Sequence, residues 1–210
     1  MVGGRDDATR VQCVLTAFDD ALHVITDDGR VAAFDGRQWV ERVAGNPKME
    51  FRFPQAAFDG TRIVVWGSNK KTGGLKNEAW FFDGTSWTKG KKQPEVPAGR
   101  MARLAMHNGQ LMRLTDTSLS MLEGDAFRVV STWKTPLSDR RYDALVSAGA
   151  ALQFIQWTDD AVWALPLSGE PQKIDGVVLD RTKTWFVWQE QGAWRVCDEK
   201  EADDVLVVDE

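Results

Sequence analysis

Cysteine, histidine and tyrosine are scarce in this chain of 210 residues: two, two and one. Cys13 and Cys197 fit no zinc or redox spacing, agree with a reducing compartment, and read as small core residues of apolar segments. They lie towards opposite ends of the chain, so a closed ring would bring them near each other. His23 alternates within an apolar run and His107 falls in a turn, so neither has a partner for metal or nucleophilic chemistry. A glycine-rich phosphate loop, a nucleophile elbow and a cysteine cluster are all missing. No enzyme activity, cofactor or metal is therefore expected. No apolar run approaches the roughly 18 residues of a membrane helix, and the opening Met1-Val2-Gly3-Gly4-Arg5 carries no apolar signal core. The expected compartment is the cytoplasm, with no membrane partner.

Charge is short on one side. The formal net charge of −5 speaks against a general nucleic-acid binder. Its distribution is uneven: residues 45–100 carry ten Lys/Arg against five Asp/Glu, and residues 177–210 carry four against nine. Such a field orients a partner. Helical periodicity with caps is also missing, so helix content is expected to be minimal.

What is present is a repeat. Phe34-Asp35-Gly36-Arg37-Gln38-Trp39 returns as Phe82-Asp83-Gly84-Thr85-Ser86-Trp87, more weakly as Leu122-Glu123-Gly124-Asp125-Ala126-Phe127, and as a bare turn glycine in Leu167-Ser168-Gly169-Glu170-Pro171-Gln172. From Gly36 the spacings are 48, 40 and 45 residues. An acid followed by Gly and two further residues makes a tight hairpin, because Gly accepts positive φ. A second marker precedes each copy: the triplets Phe18-Asp19-Asp20, Phe58-Asp59-Gly60, His107-Asn108-Gly109 and Ala148-Gly149-Ala150, with a poorer Asp180-Arg181-Thr182 after them. Each leads into an apolar strand such as Ile63-Val64-Val65-Trp66. Every unit then reads as inner strand, turn, second strand, loop, third strand, Asp-Gly turn and outer strand.

This period fits an all-β protein, a small β-propeller of five four-stranded antiparallel blades, with a four-bladed or open propeller fragment as the alternative. Residues 1–9 read as a flexible N-terminal segment and 10–210 as a single domain, with units 10–44, 45–96, 97–134, 135–175 and 176–210. Stacking blades face to face buries both sides of each sheet, and ten Trp and ten Phe supply large inter-blade side chains. The units resemble kelch repeats and, more loosely, the central propeller of galactose oxidase-like proteins. That resemblance rests on Phe81 with Trp87 six positions later, and on Val64-Val65-Trp66-Gly67-Ser68, where Gly67-Ser68 stands nearest the kelch double glycine.

Arginines precede four of the turn triplets: Arg10, Arg52, Arg100 and Arg141. In a kelch-like propeller they would lie at one mouth of the channel, where guanidiniums take carboxylates bidentately. The two longest loops, on the same expected face, carry Lys70, Lys71, Lys76, Lys91 and Lys92, a basic patch around the second unit. Solvated loops and local ion pairs are the competing account. The Asp pairs Asp19-Asp20, Asp27-Asp28 and Asp159-Asp160 read as turn formers, lacking the ligand spacing of a calcium loop. Trp39 and Trp87 keep the repeat register and are expected to pack between blades, whereas Trp133 breaks it and is the candidate exposed aromatic. These residues point to a non-catalytic binding or scaffold module for an acidic protein or peptide. A glycan-binding propeller is the alternative, and a propeller hydrolase the third reading, short of the channel carboxylates it needs.

Overall fold

The computed structural model describes residues 13–46, 48–69, 71, 78–92, 103–134, 136–137, 144–148, 151–156, 161–174, 185–190, 193–198 and 201–208, the last three segments as backbone. Among them there is strand and no helix. The first sheet holds β1 (Cys13–Phe18), β2 (Ala21–Thr26), β3 (Val31–Phe34) and β4 (Trp39–Val43). The second holds β5 (Phe51–Phe58), β6 (Ile63–Asn69), β7 (Trp80–Phe82) and β8 (Trp87–Lys89). The third holds β9 (Arg103–His107), β10 (Gln110–Leu114), β11 (Ser118–Glu123) and β12 (Ala126–Thr132). The fourth holds β13 (Ala144–Ala148), β14 (Ala151–Gln156), β15 (Ala161–Leu165) and β16 (Gln172–Ile174). A last, three-stranded sheet holds β17 (Trp185–Glu190), β18 (Ala193–Asp198) and β19 (Glu201–Val208). Strands follow chain order within every sheet and all pair antiparallel, so each sheet is a meander. The first strands lie side by side, β1 against β5, β5 against β9 and β9 against β13. The N-terminal segment 1–9 lies outside the described residues.

The turns follow from side-chain chemistry. Gly36, Gly60, Gly84, Gly109, Gly124 and Gly169 all take positive φ, between 60° and 101°, where a Cβ would be strained. In three turns the preceding aspartate completes the bend. The Asp83 carboxylate accepts the N–H of Thr85 at 2.9 Å and of Ser86 at 2.8 Å. Asp35 does the same for Arg37 and Gln38, both at 2.9 Å. Asp59 does it for Thr61 at 2.9 Å and Arg62 at 2.7 Å. The device is an Asx turn, which satisfies backbone donors that the ladder leaves unpaired.

These bonds draw the Asp83 pKa down to about 2 from 3.8, the Thr85 and Ser86 amides being the main cause. Asp35 is lowered through the amides of Gln38 and Arg37. At Asp59 burial pushes the pKa up, and the amides of Thr61 and Arg62 outweigh it. Folded pKa values below the unfolded one mean that the contribution is complete above the unfolded pKa of about 4 and is lost as pH falls through the folded values. These three carboxylates are therefore expected to add no slope to the urea midpoint between about pH 7 and 5 and to lower it between about pH 4 and 2. In the triple variant Asp35→Asn, Asp59→Asn, Asp83→Asn that drop should flatten. A variant curve parallel to the wild type would assign acid sensitivity to other carboxylates.

The core lies between sheets. Ile25 and Val31 of the first sheet meet Ile63, Val65, Trp80 and Phe82 of the second. Val64, Trp66 and Phe81 on the other side of the second sheet meet Leu111 and Phe127 of the third. Met112, Leu114 and Leu119 meet Leu145, Leu152, Phe154 and Leu165 of the fourth. The second and third sheets are thus covered on both faces, and full burial of such a side chain is worth about 1.5–3 kcal/mol. Pro54 is accommodated in β5 because the register shifts between Arg52 and Gln55, so the proline's missing N–H falls in a bulge.

Candidate functional site

Neighbouring sheets are clasped by polar contacts, and these fix where the candidate residues sit. Phe51 N donates to Asp27 O at 2.8 Å, and Trp87 Nε1 donates to Gly29 O at 2.8 Å, tying the second sheet to the first. At the seam of the second and third sheets, the Arg62 guanidinium lies 4.1 Å over the Phe81 ring. It pairs with Asp59 at 3.1 Å and with Asp125 at 2.8 Å. Gly90 N donates to Ala79 O at 2.9 Å and Lys91 N to Asp125 O at 3.1 Å. The first residues of the long loop after β8 are therefore held against the β11–β12 turn.

On that seam Lys91 and Lys92 are exposed. Lys71 is exposed as well, and its Nζ lies 3.1 Å from Glu50 Oε2, next to the entry of β5. The structure so divides the expected patch between two places: Lys71 where β5 begins, and Lys91-Lys92 where β8 leaves the sheet. Lys89 is paired with Glu78 at 2.7 Å. Arg52 is exposed in β5, opposite Ser68. Arg10, Arg100, Arg141, Lys70 and Lys76 lie outside the described residues, so the four expected arginines are not seen together.

Two aromatic expectations are overturned. Trp133 is only 6% exposed. Its N–H donates to Thr117 O at 3.1 Å and its Nε1 to Asp116 O at 2.7 Å, which continues the ladder beyond β12 and turns the indole among Leu114, Leu119, Leu137 and Leu152. The off-register position reflects core packing and offers no exposed platform. Trp39, expected between sheets, is 46% exposed, with Phe34 beside it at 5.3 Å between ring centroids. Trp87 is half-buried against the first sheet.

The histidine reading also changes. His107 ends β9, buried, with Nδ1 2.8 Å from Ser147 Oγ on β13. Burial pushes its pKa below the usual imidazole value. The pair joins the first strands of the third and fourth sheets, and only knowledge of that adjacency would have found it. His23 meets Phe18 edge-on at 5.4 Å and is a packing residue. Among the described residues no three His, Cys, Asp or Glu side chains are grouped to hold a metal ion, and no helix is long and apolar enough to cross a membrane.

The sequence matches no family model, and no curated protein matches it. Likeness appears in three dimensions. The SapL1 lectin in complex with alpha methyl fucoside superposes with a TM-score of 0.58 at 15% identity, covering 89% of this chain and 71% of that one. A catalytically inactive virginiamycin B lyase from Staphylococcus aureus, with quinupristin, gives a TM-score of 0.58 at 12% identity, covering 93% of this chain and 64% of that one. Both are propeller proteins. The chain has a propeller-like fold. At these identities the likeness carries the fold alone, and any ligand must be argued from this chain's own residues.

Proposed function

We propose that this propeller, read as five blades of which the last is a three-stranded remnant of a kelch-like repeat, is a non-catalytic binding module for a protein or peptide with acidic residues. The observation that supports the reading is the mounting of Lys91 and Lys92. They are exposed, and the Lys91 amide is bonded to a neighbouring sheet, so two ammonium groups leave the protein from a tied backbone. Lys71 adds a third cation on the same sheet. Charges on a rigid scaffold steer and orient an anionic partner more than they hold it, so binding should be fast and salt-sensitive. The probe is a fluorescein-labelled polyglutamate peptide read by anisotropy. Reversal of all three, Lys71→Glu, Lys91→Glu and Lys92→Glu, should weaken binding by about tenfold or more, each exposed pair being worth up to ~1 kcal/mol. Equal affinity for wild type and variant would remove the acidic-peptide reading.

A glycan-binding reading has an observation of its own. Phe18 and Phe58, at the ends of β1 and β5, form an edge-to-face pair at 5.5 Å between centroids and are both half-buried. Exposed Asp19 and Asp20 follow directly in the chain. Aromatic faces beside carboxylates suit a sugar ring. Methyl fucoside titrated into the protein by calorimetry, with Phe58→Ala as comparison, separates the two readings: heat abolished by that variant would favour sugar.

A further inference from the structure

The uneven charge of the chain has two poles, and the structure gives each a place. Lys71, Lys91 and Lys92 are exposed cations of the second sheet. They lie within residues 45–100, where ten Lys/Arg stand against five Asp/Glu. The opposite pole is residues 177–210, where four Lys/Arg stand against nine Asp/Glu. The two excesses are equal in size and opposite in sign.

Five of those nine acids fall within seven residues: Asp198, Glu199, Glu201, Asp203 and Asp204, with Lys200 the one cation among them. The backbone there is a hairpin in which β18 ends at Asp198, β19 begins at Glu201, and these two residues pair. Like charges directly opposite each other destabilise a ladder, and Asp is a poor strand former. The fold of the hairpin therefore gains nothing from this run of acids. The other four sheets have four strands each, whereas β19 ends a sheet of three, with no further strand beside it among the described residues. The acidic start of β19 thus stands at a sheet edge, where a partner can reach it. In chain order the third and fourth sheets separate this hairpin from the lysines.

We propose that the acidic partner of Lys71, Lys91 and Lys92 is a second copy of this chain, engaged through its β18–β19 hairpin. The proposal rests on the acidic-partner reading above and names that partner. The two patches differ, so the contact is heterologous: each copy offers lysines to one neighbour and its hairpin to the next. Association of this kind runs on into longer assemblies and does not stop at a two-fold dimer. Pairing between charges at a rim is fast, weak and salt-dependent.

Sedimentation velocity of the wild-type chain over a range of concentrations tests this at about 0.01 M and about 1 M salt, where charges are screened over about 30 Å and 3 Å. The average mass should climb past the dimer with concentration at low salt and return to the monomer at high salt. Two neutralised variants locate the contact: Lys71→Gln, Lys91→Gln, Lys92→Gln on one side, and Glu201→Gln, Asp203→Asn, Asp204→Asn on the other. The second set also removes the like-charge pair at Asp198 and Glu201, so its folding is not at risk. Each variant alone should stay monomeric at low salt. Mixed in equal amounts they keep one intact lysine patch and one intact hairpin, and should form a dimer that grows no further. A wild-type mass independent of concentration, growth that stops at the dimer, or growth that survives high salt or either variant would each overturn the proposal. Wild type that binds polyglutamate yet stays monomeric refutes self-association alone. Wild type that does neither removes the acidic-partner reading with it.

Discussion

Replacing Trp66 by alanine is expected to cost about 3–5 kcal/mol, the range for truncating a buried large aromatic. Trp66 is fully buried in β6, packed with Val64, Ala79, Phe81, Leu111 and Phe127 where the second and third sheets meet. Its ring also carries a charge: the Arg113 guanidinium lies 4.5 Å from the Trp66 centroid and 4.6 Å from that of Phe127, with Nη2 donating to Ser120 Oγ at 3.2 Å. Burial lowers the Arg113 pKa to about 10, which still leaves it charged at neutral pH. Trp66→Ala therefore opens a cavity and strips one wall from a buried cation, and the two losses compound. At about 2–4 °C per kcal/mol for a chain of this size, the midpoint should fall by roughly 6–20 °C. Urea unfolding of Trp66→Ala, Arg113→Met and the double variant closes a cycle. Arg113→Met alone is expected to cost less than Trp66→Ala, because an apolar isostere in a well-packed site offsets the lost charge. Additive losses across the cycle would show that the stacking contributes nothing beyond volume.

The strand ladder was legible because turn chemistry is local. An acid next to a glycine forces a hairpin wherever it occurs, and the glycine φ values show that it did so at Gly36, Gly84 and Gly124. What local chemistry cannot convey is which neighbour a face meets. The triplets at Phe18, Phe58 and His107 look equivalent, yet Phe18 pairs with Ala21 and His107 with Gln110, whereas Phe58 pairs with Ile63. The bend at Asp59 holds four residues where the other two hold two, an even difference that keeps the faces in step. Phe58 itself, however, turns back onto Phe18 of the preceding sheet, and its partner Ile63 goes with it. As a result Ile25, Met112 and Leu114 face the following sheet, while Ile63 and Val65 face the preceding one. With period-2 strands a single slip reverses every side chain. The misjudged tryptophans have a related cause. Trp39 lies on the face of the first sheet turned away from the second, and burial at Trp133 depends on Asp116 and Thr117 lying beside it. The candidate cations were visible as a charge imbalance. Their separation, with Lys71 beside Glu50 and Lys91 against Asp125, came from strand ends that no composition reveals.

Gly90 is where fold and candidate site depend on the same atoms, and Gly90→Val is expected to damage both. A Cβ at this position would lie 2.6 Å from Phe81 Cε2, 2.9 Å from Asp125 O and 3.1 Å from Ala79 O. Two of those atoms are backbone oxygens on different sheets, and Phe81 is itself pinned beneath Arg62. None of the three can yield without parting the second sheet from the third. Overpacking of this kind costs about 1–3 kcal/mol, with alanine towards the lower end and valine at or above the upper. The separation would break the Lys91 N to Asp125 O bond and lengthen the Arg62 to Asp125 pair, so Lys91 and Lys92 would lose their fixed mount. Gly36→Ala is the matched comparison: φ is +92° there, but no atom lies within 4 Å of the added Cβ. It should cost about 1 kcal/mol of backbone strain and leave the lysines untouched. Measured well below both midpoints, polyglutamate affinity should fall for Gly90→Val and hold for Gly36→Ala. If the two variants bind alike while differing in stability, the lysines act as mobile charges and the seam has no part in presenting them.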